Sequence, residues 1–242
     1  GQARLRVDNI RGTVRVQAGT EGEIRVVAIK HSDDGSAEHT RVEISQDSSG
    51  LVTAKTHYGK EGWKISGKPG RVDYAITAPA ACDLKLSCVS SEAWVQGLNG
   101  SLALHSVSGE LRLRELAGKL EVHTVSGDVS AENVKAELEL NSVSGDVIFR
   151  GADLPRIEAS TVSGDLEFET AIGGGPYRVN SVSGDAQFVV PADTGCEIDM
   201  HSLSGGLEVN LSATYHHQTR QLRRVTVQQG GATINFHSLS GD

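Results

Sequence analysis

From Cys82 onward the hydrophobic positions recur in a nine-residue frame. With Gly109 as slot 1, the run Gly109-Glu-Leu-Arg-Leu-Arg-Glu-Leu-Ala117 places apolar residues in slots 3, 5 and 8, and Gly118-Lys-Leu-Glu-Val-His-Thr-Val-Ser126 repeats the pattern without a shift. The triplets continue in phase as Val129, Ala131, Val134; Leu138, Leu140, Val143; Ile157, Ala159, Val162; Ile198, Met200, Leu203; and Ile234, Phe236, Leu239. Alternation at slots 3 and 5 marks the inward positions of a strand, and slot 8 reads as an inward corner residue sealing the layer. Two half-coils make an 18-residue coil. Repetition at this period predicts a solenoid in which each strand pairs in parallel with its copy one coil away.

Before the repeat the pattern is plain alternation. Arg4–Val7, Gly12–Gln17, Glu23–Ala28, Thr40–Ile44, Leu51–Lys55 and Val72–Thr77 each carry apolar side chains at every second residue, separated by Gly/Asp/Asn turn signals. Such segments are half-buried strands. They predict an antiparallel cap over residues 1–80, closing an otherwise open solenoid end. Residues 81–242 then form a solenoid of about eight coils, entered through the hinge Ala78-Pro-Ala-Ala81.

The clearest element of the repeat is a corner motif, Ser/Thr-Val-Ser-Gly-acid, at Ser106–Glu110, Thr124–Asp128, Ser142–Asp146, Thr161–Asp165 and Ser181–Asp185, with variants at Cys88–Glu92, Ser202–Gly206 and Ser238–Asp242. Successive corner positions from Ser91 to Gly145 are 18 residues apart, after which the spacings grow to 19, 20, 21 and finally 36. Every extra residue falls at the opposite corner, so one edge is regular and the other carries loops, the longest at 212–230. Insertions in repeat proteins map to one face, often the binding face. The 36-residue interval lacks an apolar triplet at its middle and predicts one coil with a hairpin excursion ending in Val225–Gln228. Asp242 closes a corner that elsewhere leads into a strand, so a further strand is expected beyond it; a signal or anchor would precede Gly1.

Composition narrows the partners. A formal net charge of -8 makes nucleic acid a poor partner. No run of about 18 apolar residues predicts a membrane span. An aromatic share of 4% with 28 glycines suits thin layers of aliphatic side chains and tight turns. Cys82, Cys88 and Cys196 show no metal spacing and read as small buried or corner residues; six coils separate Cys82 from Cys196, too far for a disulfide.

Stacking turns each slot into a ladder. Slot 2 after the corner aligns Asp128, Asp146, Asp165 and Asp185, the weak candidates for a row of Ca²⁺ or other hard cations, against the ordinary reading of carboxylates accepting turn amides. Slot 6 aligns His105 with His123 and His201 with His237, pairs that lack the third ligand a zinc site requires. The slot 9 serines recur in every coil, which argues for a hydroxyl ladder rather than one activated nucleophile. No catalytic or cofactor-binding residue emerges. Candidate partner-binding residues are Trp94, in an outward slot, and the single basic cluster of the chain, His216, His217, Arg220, Arg223 and Arg224.

The iterated corner motifs, the Pro79 segment and the alternating N-terminal strands resemble the bacterial "putative adhesin" family, a group of unknown function built from repeated TVSGD units, and the β-helical heads of autotransporter adhesins. The resemblance implies an all-β fold, a parallel single-stranded β-solenoid with an N-terminal antiparallel β cap. It further implies a noncatalytic scaffold outside the cytoplasm or on the bacterial cell surface, binding a protein or surface polymer. The alternatives are a carbohydrate-active β-helix enzyme, which needs acids from adjacent coils along a groove, and a structural protein that self-associates through its solenoid ends.

Overall fold

The computed structural model describes residues 2–20, 22–31, 39–59, 70–219 and 221–241. The strands, in chain order, are β1 (Ala3–Gly19), β2 (Arg25–Lys30), β3 (Thr40–Gln46), β4 (Leu51–Tyr58), β5 (Val72–Pro79), β6 (Cys82–Gln96), β7 (Asn99–Ser108), β8 (Leu111–Arg114), β9 (Ala117–Thr124) and β10 (Val129–Glu132). They continue as β11 (Lys135–Ser142), β12 (Val147–Ala152), β13 (Ile157–Thr161), β14 (Leu166–Thr170), β15 (Tyr177–Ser181), β16 (Ala186–Val189), β17 (Cys196–Ser202), β18 (Ala213–Gln218), β19 (Leu222–Val227) and β20 (Ala232–Ser238).

The nine-residue frame sets the pairing. Leu102, Leu120, Leu138 and Ile157 lie side by side on one face through β7–β9, β9–β11 and β11–β13, all parallel. The second half-coils stack likewise, with Leu111, Val129, Val147, Leu166 and Ala186 in one row. Slots 3 and 5 from both faces meet in one core that runs the length of the stack. Its bulkiest column is Phe149, Phe168 and Phe188, with ring centroids 5.8 and 5.3 Å apart. The single extra residue of the 19-residue spacing enters at the opposite corner, between Asp153, paired with Lys135, and Ile157, paired with Leu138.

Both ends depart from simple sequential stacking. Among the described residues, antiparallel pairing at the N-terminal end is confined to β2 on β5 and β3 on β4. Strand β1 is itself a solenoid layer, parallel to β6 from Ala3↔Cys82 to Gln17↔Gln96, with β4 and β5 parallel to it on its other edge. At the C-terminal end the order is permuted. The last strand, β20, lies between β15 and β17, pairing in parallel with each (Tyr177↔Ile234↔Ile198). The hairpin β18–β19, expected from the long interval, pairs antiparallel to the outer edge of β17. With β20 inside, Ile234 and Phe236 are 5% and 6% exposed, and the antiparallel hairpin covers the edge that a parallel stack would leave open.

Candidate functional site

The two corners of each coil are built differently. At the corner opposite the glycine, slot 8 points inward as expected: Leu98, Leu116 and Val134 are fully buried. At the glycine corner slot 8 points out. Val89, Val107, Val125, Val143, Val162 and Val182 are 44–46% exposed, and Leu239 and Leu203 are 52% and 58%. This corrects the expectation that the valine of the motif fills the core. The inward residue is the hydroxyl of slot 7: Ser106, Thr124, Ser142, Thr161, Ser181 and Ser202 are buried. Thr124 Oγ1 donates to Gly127 O at 3.0 Å and accepts the Gly127 N–H at 3.1 Å, and Ser181 does the same with Gly184, both at 2.7 Å. The hydroxyl satisfies the turn from inside, so the chain turns one residue early and the valine faces water.

The slot 9 serines form the expected hydroxyl ladder. Ser126 donates both its N–H (3.0 Å) and its Oγ–H (3.2 Å) to the Val107 carbonyl one layer away, and Ser144 repeats this to Val125. Glycine is required by close approach. A Cβ at Gly127 would lie 2.2 Å from Gly109 O and one at Gly164 2.1 Å from Gly145 O; positive φ occurs at Gly109 and Gly145 but is not common to all copies.

Outward slots 6 and 8 flank this corner and leave a longitudinal groove of about 650 Å³ between them. One wall is the aliphatic row. The other is the slot 6 row, where His105 stacks on His123 (centroids 4.9 Å, 11° between planes); in the same slot beyond the groove, His237 stacks on His201 (5.0 Å, 14°). His123 Nε2 lies 2.8 Å from Glu121 Oε1. Burial, and then the neighbouring His123, hold the His105 imidazole below its ordinary value. A histidine whose folded pKa is depressed costs stability as pH falls. The full contribution is present above about pH 6.5, and it is lost as pH drops from there through the lower folded value. The melting temperature is therefore expected to fall between pH 7.5 and 5, with a smaller fall in His105→Asn; equal slopes in the two proteins would refute the assignment.

The remaining candidates sit elsewhere. Asp128, Asp146 and Asp165 each accept, through Oδ1, the amide N–H of the Asp one layer on, at 3.0, 3.1 and 3.0 Å, the last from Asp185. Among the described residues no group of three or more His, Cys, Asp or Glu side chains could hold a metal ion. Trp94 is not a free apolar face: its half-buried ring lies between the guanidiniums of Arg15 and Arg112, 4.8 and 5.5 Å from the ring centre. The basic cluster belongs to the terminal hairpin. Arg224 pairs with Asp199 at 2.6 Å, Arg223 Nη1 reaches Met200 Sδ at 3.9 Å, and His216 bonds Thr226 Oγ1 at 2.8 Å. His217 is exposed on β18, and Arg220 lies outside the described residues. The three cysteines are free and buried, and burial pushes the thiols of Cys82 and Cys88 up to about 11 and about 12.

The family profile of the Toastrack DUF4097 domain matches residues 3–242. The chain belongs to the Toastrack DUF4097 family. No curated protein matches it. Among solved structures it is similar to a "putative cell adhesion protein" from Clostridium sporogenes, at 10% identity and a TM-score of 0.28, over 99% of this chain and 90% of that one.

In this Toastrack chain the groove is the feature that slot counting missed. A signal for it was present: a hydroxyl residue at slot 7 with glycine three positions later, in nearly every copy, is a turn cap. The corrected corner makes a direct prediction. Val125→Ala is expected to change stability by less than about 0.5 kcal/mol, as at an exposed site, whereas Leu116→Ala, the same slot at the other corner, costs about 2–5 kcal/mol. Urea unfolding of the two variants measures this; comparable losses would return the valine to the core.

Proposed function

We propose that the chain is a noncatalytic binding scaffold, placed outside the cytoplasm, whose partner lies along the glycine-corner groove. The observation that carries this reading is the unbroken aliphatic row. Eight exposed rungs, from Val89 to Leu203, extend about 34 Å at ~4.8 Å per layer. Side chains of that size left in water in every coil, beside stacked imidazoles, suit a long, regular partner such as a surface polymer or an extended protein segment. No helix among the described residues is long and apolar enough to cross a membrane.

Four carboxylates are unsuited to act as the general acid of glycoside hydrolysis. A general acid for that reaction needs a raised pKa. Asp47, Asp73, Glu110 and Glu158 are instead held below the ordinary range. Of these, Glu110 is paired with Arg112 at 2.6 Å and Glu158 with Arg156 at 2.7 Å. The buried, protonated thiols offer no nucleophile in their place.

The test is co-sedimentation with insoluble bacterial cell-envelope material. The chain is expected to pellet with it, and a triple variant Val107→Asp, Val125→Asp, Val143→Asp is expected to stay in solution with little change in melting temperature. Equal retention of the two would exclude the groove as the contact, and new reducing ends released from the polysaccharide would overturn the noncatalytic reading.

A further inference from the structure

The glycine corner carries a ridge and a groove side by side. Val107, Val125 and Val143 form the ridge, and the groove runs between them and the slot 6 wall of His105, His123 and Asn141. Its floor is the row of buried slot 7 hydroxyls, Ser106, Thr124 and Ser142, which are bonded to their own turns. On the other side of the ridge, Ser108, Ser126 and Ser144 donate to the carbonyls of Val89, Val107 and Val125. Covering this strip with apolar side chains therefore leaves few polar groups unpaired.

The repeat selects among the long, regular partners. Ridge residues recur every layer, about 4.8 Å apart. A single extended strand laid along the ridge brings an apolar side chain to it only every ~6.6 Å. A second copy of the chain carries the same ridge and the same groove at the same repeat, so every rung of one meets a rung of the other. Interdigitation of identical side chains across such a repeat is how stacked β-layers form dry contacts.

The flanking rows select the orientation. Beyond the ridge lies the carboxylate row of Glu92, Glu110, Asp128, Asp146 and Asp165, and on the groove side lies the slot 6 row. A two-fold axis perpendicular to the solenoid sets ridge on ridge and each carboxylate row against its own copy. Juxtaposed like charges oppose that arrangement. A two-fold axis along the solenoid exchanges the sides. Each ridge then enters the other groove, and each carboxylate row faces the imidazole and amide N–H donors of His105, His123 and Asn141 on the second copy.

We propose that the glycine corner binds a second copy of this chain, parallel and in register, ridge into groove. The proposal rests on the reading of this corner as the contact surface and names its partner. A strip five residues wide is about 17 Å across, and along the ~34 Å of the aliphatic row it covers roughly 600 Å² on each copy. The pair buries about 1,200 Å² in total, the size of a specific but reversible contact. A slip by one layer loses a rung at each end and breaks the two-fold closure, which fixes the register.

Sedimentation of the full chain is expected to show a reversible dimer, twice the 25.6 kDa of one chain, at micromolar concentration. The triple variant Val107→Asp, Val125→Asp, Val143→Asp is expected to be monomeric, with little change in melting temperature. Oxidative cross-linking reads the orientation. Val107 and Val182 stand four layers apart, on the corners that follow β7 and β15. Val107→Cys and Val182→Cys are each expected to form disulfide-linked dimers alone, at least tenfold faster than a mixture forms the mixed dimer. The wild-type chain, whose three cysteines are buried, is the blank. A mixed dimer that forms ahead of either single one would overturn the parallel register. A dimer that the triple variant leaves intact would place the contact elsewhere and overturn the proposal. A chain that stays monomeric would overturn it as well; if envelope retention then still depends on the three valines, the corner remains the contact surface and only the second copy is excluded.

Discussion

Gly127→Ala is expected to lower stability by at least about 3 kcal/mol, in the range reserved for steric conflict in a packed interior. The added Cβ meets backbone, not a side chain that could swing away: Gly109 O at 2.2 Å and Gly109 C at 3.0 Å. Relief requires the two layers to separate at the corner, where Ser126 N–H and Oγ–H both bond Val107 O. In a chain of 242 residues, 3 kcal/mol corresponds to a fall in melting temperature of about 6–12 °C. Gly173→Ala is the control, since nothing lies within 4 Å of its added Cβ. A thermal melt that shows the same shift for both glycines would mean that layer contact is not what selects glycine at the corner.

Phe168→Ala is expected to cost about 3–5 kcal/mol. Its ring is fully buried and packs between Phe149 and Phe188 at 5.8 and 5.3 Å, so truncation leaves a cavity in the middle of a continuous column. Phe188→Ala removes the same atoms from a ring that borders an open cleft and is already partly in water. It is expected to cost less than half as much. Urea titration of both variants gives the two values. Equal losses would show that the last phenylalanine is as enclosed as the middle one.

Much of the architecture was legible because it rests on backbone period. A nine-residue frame with apolar slots 3 and 5 leaves only one way to stack identical layers in register, and Leu102, Leu120, Leu138 and Ile157 fall where that frame puts them. The histidine pairs followed from the same arithmetic, since slot 6 in one layer must lie over slot 6 in the next. The hairpin at 213–227 was visible as a gap in the apolar pattern.

The candidate site was less legible. Hydrophobicity assigns valine to an interior, and the motif valine was placed there. What turns it outward is a hydrogen bond: the slot 7 hydroxyl closes the corner from inside and takes the position a larger side chain would need. Trp94 was likewise an outward slot, but the sequence does not show that Arg15, from β1, and Arg112 arrive on either side of it. The basic cluster read as a partner-binding candidate on the hairpin excursion, and what the sequence does not show is that Arg224 is paired with Asp199 on β17.

By itself the sequence determined the layer: its length, its inward positions, its glycine corner and the parallel register of each strand with its neighbour. Those follow from local geometry repeated at a fixed period. The tertiary structure alone decided the order of the layers at the ends. The copies are near-equivalent, so nothing in the repeat distinguishes β17 stacked on β15 from β20 stacked there. Burial of Ile234 and Phe236, together with the need to cover the outer edge of β17 with an antiparallel hairpin, places β20 inside.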